Sequence, residues 1–201
     1  MRHHHLVVDL GGVLFAFDHA HRLQQLAAVL SLPLAQVDKL LWKSGFSADC
    51  DSGRYTNAAQ VRDRIRGATG FTGSNEQLDI AWCSAFRPDH RVRETLVRHR
   101  GSRSLTLFTN NGPLEEEVLL RLYPEMFNGF GQLLFSYRLG RRKPDPGAFV
   151  VVSKRLGAEP GEILFIDDSP TNIDTARSLG WTAIQFRGPE TIECAPQLPI
   201  R

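Results

Sequence analysis

Four short apolar or loop stretches in this chain lead into polar residues that could share one reaction. The run 6–8 ends at Asp9, followed by Leu10 and the Gly11-Gly12 pair. The run 105–108 ends at Thr109-Asn110-Asn111, and the run 162–166 ends at Asp167-Asp168. Lys143 stands in Gly140-Arg141-Arg142-Lys143-Pro144-Asp145-Pro146. The set comprises three carboxylates, a hydroxyl and a cation, which is what phosphoryl transfer requires. A carboxylate can attack phosphorus and hold the group as an acyl phosphate. Bringing that anion to a charged phosphoryl centre calls for a divalent cation, and magnesium takes one or two carboxylates plus substrate oxygen and water. An ammonium group, a hydroxyl and backbone amides can cradle the phosphoryl oxygens. Each signal alone is weak. Asp-x-Gly-Gly is as often a turn, Asp-Asp before Ser-Pro is a common helix cap, and Lys-Pro-Asp-Pro also suits a surface loop. Their order, and their position after strand-like runs, make the case.

The elements that would position these residues alternate along the chain. Strand-like runs at 6–9, 104–108, 132–136, 162–166 and 182–186 are separated by helical spacing at 89–100, 113–122, 146–156 and 171–179. Pro113 and the glutamates after it suit a helix start, and Gly180 suits a helix end. Strands alternating with helices predict an α/β fold, a parallel sheet with helices on both faces. Ligands then bind at the carboxyl ends of the strands, where the four polar stretches fall. Residues 17–86 differ. Helical spacing at 21–30, 35–43, 58–66 and 75–86 is broken by Pro33 and by a turn at Asp51-Ser52-Gly53, with no convincing strand. This block reads as a helical insertion after the first strand. The tail from Gly188 reads as irregular.

Bulk properties narrow the class. With 201 residues, 24 basic against 22 acidic, and 42% hydrophobic residues, the chain reads as an ordinary globular protein. A net charge of +2 with scattered arginines points to neither nucleic acid nor an anionic membrane surface as partner. No apolar run approaches membrane-spanning length. Three separated cysteines, Cys50, Cys83 and Cys194, give neither a disulfide framework nor a zinc pattern, which fits a reducing cytoplasm. His3-His4-His5 reads as a tag remnant or a polar lead-in to a strand.

The motifs also resemble a known family. Val8-Asp9-Leu10-Gly11-Gly12-Val13-Leu14 resembles the first motif of the haloacid dehalogenase superfamily, and Phe108-Thr109-Asn110-Asn111 the second. Lys143-Pro144-Asp145-Pro146 with Phe149 resembles the third, and 165–173 with Ala176-Arg177 and Gly180 the fourth. The resemblance covers nearly the whole chain. It implies a Rossmann-like core over 1–16 and 87–201 with a helical cap over 17–86. It implies Asp9 as nucleophile and magnesium ligand, the Gly11 carbonyl and Asp167 as further ligands, and Asp168 orienting a metal water or Lys143. Phosphate binding would fall to Thr109, Asn110, Asn111 and Lys143. The implied activity is hydrolysis of a small phosphorylated molecule by a monomer or weak homodimer. The nearest likeness is to a bacterial branch with sugar phosphatases, including α-glucose-1-phosphate phosphatase.

One position departs from the family. Most phosphatases of the superfamily carry an acid two residues after the nucleophile, and here that position is Gly11. Losing a general acid–base typically costs about 10²–10⁴-fold. A sugar 1-phosphate, with its better leaving group, would tolerate the loss, and Asp18 or His19 could assist. Two other readings stay open: a metal-independent dehalogenase in which Asp9 attacks carbon, and a binding or regulatory protein on the same scaffold. The cap aromatics Trp42, Phe46, Tyr55, Trp82 and Phe86 are candidates to line the site, and cap movement would gate it.

Overall fold

The computed structural model describes residues 3–198. The chain begins with β1 (His5–Val8) and a short β2 (Phe15–Phe17), then enters a helical run. This run holds α1 (His19–Leu30), α2 (Leu34–Asp38), α3 (Phe46–Asp51), α4 (Ala58–Thr69) and α5 (Asn75–Cys83), with a π-helical turn at Lys39–Lys43. After β3 (Phe86–Pro88) come α6 (His90–His99), β4 (Ser104–Thr109), α7 (Pro113–Leu122) and β5 (Gln132–Phe135). The chain continues with α8 (Ser136–Leu139), α9 (Pro146–Leu156), β6 (Ile163–Asp167), α10 (Pro170–Ser178), β7 (Thr182–Gln185) and α11 (Pro189–Glu193).

The main sheet is five-stranded and parallel, in the order β5-β4-β1-β6-β7. This is the Rossmann-like α/β architecture expected. Its strands read as nearly unbroken apolar runs because helices cover both faces. The period of two divides them between two cores. Leu6, Val8, Leu107 and Ile166 join a cluster that includes the helical run, whereas Val7, Phe108 and Phe165 pack with Phe149 and Trp181 on the other face. The chain leaves β1 to build β4 and β5 on one side, then crosses to β6 and β7 on the other. That reversal opens a crevice at the carboxyl end of β1, flanked by β4 and β6.

Residues 17–86 are helical in the interior, but their borders are not. Phe15–Phe17 and Phe86–Pro88 pair antiparallel as a two-stranded sheet at the entry and exit of the helical run. Three-residue strands leave no alternation to read in a sequence, so this pair was missed, as was α3. The run 75–86 was expected to be helical throughout. It stops at Cys83, and Phe86 lies in β3. The tail was expected to be irregular, yet Gly188-Pro189 starts α11, whose Ile192 is fully buried. A ring nitrogen of His99 lies 2.9 Å from the Leu198 carbonyl, pinning the tail to α6. Residues 199–201 of that expected tail lie outside the described residues.

The helical run is tied to the core by charge as well as apolar packing. Asp79 on α5 is buried and accepts from Arg62 Nε at 2.7 Å, Arg62 Nη2 at 2.9 Å and Arg121 Nη2 at 3.0 Å. Arg62 on α4 also reaches Glu117 on α7 at 2.6 Å. The histidine lead-in is woven into the sheet rim. A ring nitrogen of His3 lies 2.8 Å from Thr182 Oγ1, and one of His5 lies 2.8 Å from Ser104 Oγ.

Candidate active site

Asp9, Thr109 and Asp167 sit at the carboxyl ends of three adjacent strands. The Asp9 amide continues the ladder by donating to the Ile166 carbonyl at 2.9 Å, so the side chain leaves the sheet at a fixed height. Asp9 Oδ1 then accepts from the Leu10 amide at 2.7 Å. Gly12 turns the chain at φ +83°, and a Cβ there would fall 2.2 Å from Asp168 Oδ2. Only glycine fits both the backbone angle and the approach of Asp168.

Lys143 joins the strand ends. It is 3% exposed, and its Nζ lies 2.9 Å from Asp9 Oδ1, donates to Asp167 Oδ2 at 2.6 Å and to the Phe108 carbonyl at 2.9 Å. The loop carrying it is pinned by Asn110, whose side chain donates to the Lys143 carbonyl at 2.7 Å and accepts from the Lys143 amide at 2.8 Å. The side chain of Asn110, expected to hold phosphate, is therefore spent on positioning Lys143. Asn111 donates to Thr109 Oγ1 at 2.6 Å, which fixes that hydroxyl at the cavity wall. Asn172, to which the sequence reading assigned no role, donates to both carboxylate oxygens of Asp167, at 2.9 and 3.1 Å. The Ser169 amide adds a bond to Asp167 at 2.8 Å.

The electrostatics follow from burial. Burial raises Asp9 to about 7, with the Asp167 charge adding to the rise and Lys143 opposing it. Burial alone would lower Lys143, but the charges of Asp9 and Asp167 more than offset it, and the ammonium is held above its ordinary value. Asp168 is raised by burial and by Asp167. Carboxylate oxygens of Asp9, Asp167 and Asp168 lie within 4.8 Å of one another. Three carboxylates around one ammonium leave an excess of negative charge, which fits a hard divalent cation with oxygen ligands.

The cluster opens into a cavity of about 350 Å³ lined also by Phe17, His19, Arg22, Trp42, Asp51, Phe86 and Glu115. Gly11 lies on its wall, and a Cβ there would touch Phe17 and Phe86 at 3.4 Å each. The rings border the space that a side chain at this position would enter. Of the two assistants suggested for the missing acid, His19 lines the cavity, while Asp18 caps α1 by accepting from the His21 amide at 2.9 Å. Of the cap aromatics, Trp42 and Phe86 face the cavity. Trp82 is fully buried behind Trp42, stacked at 5.3 Å between ring centres, and Phe46 and Tyr55 pack edge to face in the core. Arg22, Asp51 and Glu115 also line the cavity, and none of them is a site residue on sequence grounds, Asp51 reading as part of a turn. Arg22 sits in a helix chosen for its apolar face, and Glu115 reads as an ordinary helix-start charge.

Residues 4–180 match the family model of the haloacid dehalogenase-like hydrolases. The chain belongs to this family. It is 28% identical over 192 residues to a D-ribitol-5-phosphate phosphatase of Bacteroides thetaiotaomicron, covering 90% of each chain. A magnesium complex of the enzyme BT-2542 from the same organism superposes with a TM-score of 0.79 at 25% identity, over 93% of this chain and 94% of that one. The fold alone is shared with L-2-haloacid dehalogenase of Xanthobacter autotrophicus, at a TM-score of 0.61 and 17% identity, over 91% of this chain and 77% of that one. No helix among the described residues is long and apolar enough to cross a membrane.

Proposed function

We propose that this hydrolase is a magnesium-dependent phosphatase that cleaves a small sugar or polyol phosphate monoester through an aspartyl-phosphate on Asp9. The observation that carries this reading is the buried Asp9–Lys143–Asp167 cluster, with Asp168 beside it, opening on a cavity sized for a small molecule. The similarity to a D-ribitol-5-phosphate phosphatase supports the ester class.

An Asp9 carboxylate oxygen attacks phosphorus as the bond from phosphorus to the leaving oxygen breaks. Lys143 balances charge on the transferring oxygens, and the Thr109 hydroxyl and the backbone amides after it cradle them. Water then attacks phosphorus, which returns the Asp9 carboxylate and releases phosphate. Asp9, Asp167 and the Gly11 carbonyl would hold magnesium, with Asp168 behind them, and the bound ion supplies charge screening between carboxylate and phosphoryl group. Asn172 and the Ser169 amide keep Asp167 oriented for that role. With no acid at position 11, the leaving oxygen takes its proton from water or from a cavity side chain. Carbon attack by Asp9, as in a metal-independent dehalogenase, makes no use of three clustered carboxylates as a cation site, so the cluster favours the metal-dependent reading.

The test is phosphate release from a panel of sugar, polyol and aryl phosphates, with magnesium and with chelator, alongside Asp9→Asn. Magnesium-dependent release that Asp9→Asn abolishes is the expected result. Release by Asp9→Asn at the wild-type rate would remove Asp9 as nucleophile. No release from any ester by folded protein would reject the phosphatase reading.

A further inference from the structure

A second charged cluster shares the cavity with Asp9. Arg22 comes from α1, Asp51 from the end of α3 and Glu115 from the first turn of α7. Arg22 is 5% exposed and Glu115 is 3% exposed. The Arg22 guanidinium lies 5.1–5.9 Å from the ring centres of Phe17, Trp42, Trp82 and Phe86. Its Nη1 is 3.7 Å from Glu115 Oε1, which also accepts from Trp82 Nε1 at 2.7 Å. Arg22 Nε and Glu115 Oε2 are buried and have no hydrogen-bond partner. Both residues line the cavity and neither is fully satisfied within the protein, whereas native proteins rarely leave such groups unpaired.

A hydroxyl group is the ligand chemistry that answers both, because it donates and accepts at once. A carboxylate only accepts and would meet two carboxylates already present. Asp51, whose side chain is 17% exposed, has Arg142 at 3.9 Å, and burial together with the Glu115 charge raises it well above the usual carboxylate range. With Asp51 ionised the trio is anionic, and with Asp51 protonated it is neutral. Arg22 faces Glu115 and so offers no uncompensated positive charge to an anion. Trp42, Phe17 and Phe86 supply apolar wall for the carbon face of a ligand.

We propose that Arg22, Asp51 and Glu115 form a hydroxyl-binding subsite that selects an uncharged, polyhydroxylated leaving group over an anionic or apolar one. The proposal rests on the phosphatase reading and names the side of the substrate that the Asp9 cluster does not handle. Charge-assisted hydrogen bonds of this kind contribute on the order of ten- to a hundredfold in selectivity.

The experiment compares kcat/KM for D-ribitol 5-phosphate, phosphoglycolate and phenyl phosphate in the wild type, Glu115→Gln and Asp51→Asn, with magnesium. Each variant is first checked for native circular dichroism. Glu115→Gln should lower the ribitol-to-phenyl ratio at least about tenfold. Asp51→Asn should lower the same ratio. Should Glu115→Gln fail to fold, Asp51→Asn, nearer the surface, carries the test alone. Ratios that stay at the wild-type value, or a wild type that prefers phosphoglycolate, would overturn the subsite while leaving the phosphatase reading intact. A wild type that hydrolyses none of the three would overturn the phosphatase reading and the subsite with it.

Discussion

Replacing Lys143 with methionine keeps the length and apolar stem of the side chain but removes the charge that holds Asp9 and Asp167 together. The stem lies between Phe108 and Phe165, whose ring centres are 5.0 and 5.4 Å from Nζ, and methionine can keep that packing. Removing one partner of a buried ion pair costs about 3–5 kcal/mol. Two pairs are lost here, but the losses do not add. Asp9 already titrates near 7, so without the ammonium it takes up a proton instead of staying charged. Asp167 keeps its bonds from Asn172 and the Ser169 amide. The low end, about 3 kcal/mol, is therefore expected at pH 7 without metal. With a urea dependence near ~2 kcal/mol per molar, the unfolding midpoint should fall by about 1.5 M. The melting temperature should fall by about 7 °C for a chain of this length. Magnesium should narrow the gap, since a cation among the carboxylates replaces the lost charge. Turnover should fall by about 10²–10³-fold, the effect of removing one preorganised donor to the phosphoryl oxygens. A midpoint within about 0.3 M of wild type, against the ~1.5 M expected, would refute the charge-balancing role of Lys143.

Other substitutions probe separate parts of the molecule. Asp79→Ala strands the buried Arg62 and weakens the tie between the helical run and α7, so a loss of about 3–5 kcal/mol is expected on chemical denaturation. A loss below about 1 kcal/mol would show that Glu117 alone satisfies Arg62. Asp51→Asn should raise thermal stability. The folded state holds the Asp51 proton more tightly than the unfolded chain, so the wild type loses stability as pH rises from the ordinary value of 3.8 through the raised folded value. The advantage of the variant should grow over that window, and a melting-temperature difference that is constant with pH would contradict this account. Because Gly11 offers no acid, hydrolysis should be faster for aryl than for alkyl phosphates of similar size. A flat dependence on leaving-group basicity would show that a cavity side chain delivers the proton, with His19 the first to mutate.

Much of the fold was legible because its signals are local. Each central strand is a short apolar run closed by a polar residue, and Pro113–Leu122 and Pro146–Leu156 have the expected bounds because proline starts both helices. Asn57, just ahead of α4, caps it by accepting from the Gln60 amide at 3.0 Å. The short pair Phe15–Phe17 and Phe86–Pro88 was not legible, since its stability comes from pairing between segments about 70 residues apart. The helix Pro189–Glu193 was hidden for a similar reason: its burial against α6 outweighs its proline-rich surroundings.

The candidate site divides in the same way. Asp9, Thr109 and Asp167 could be named from sequence because each ends or follows a strand, and a parallel sheet brings its strand ends to one edge. Lys143, read as lying at a strand end too, instead sits in the loop between α8 and α9 and reaches that edge through its long side chain. What the Asn110 side chain bonds to, and that Asp18 is a cap, depended on which backbone groups came within reach after folding. Arg22, Asp51 and Glu115 carried no local mark of a site: Asp51 reads as part of a turn and Glu115 as a helix-start charge. They are polar residues on separate helices, and only tertiary packing closes them into one cavity. The sequence determined the reactive groups and the sheet that aligns them, because both are set by short-range pattern. The tertiary structure alone decided what surrounds the leaving group, because that wall is assembled from helices whose contacts no local spacing records.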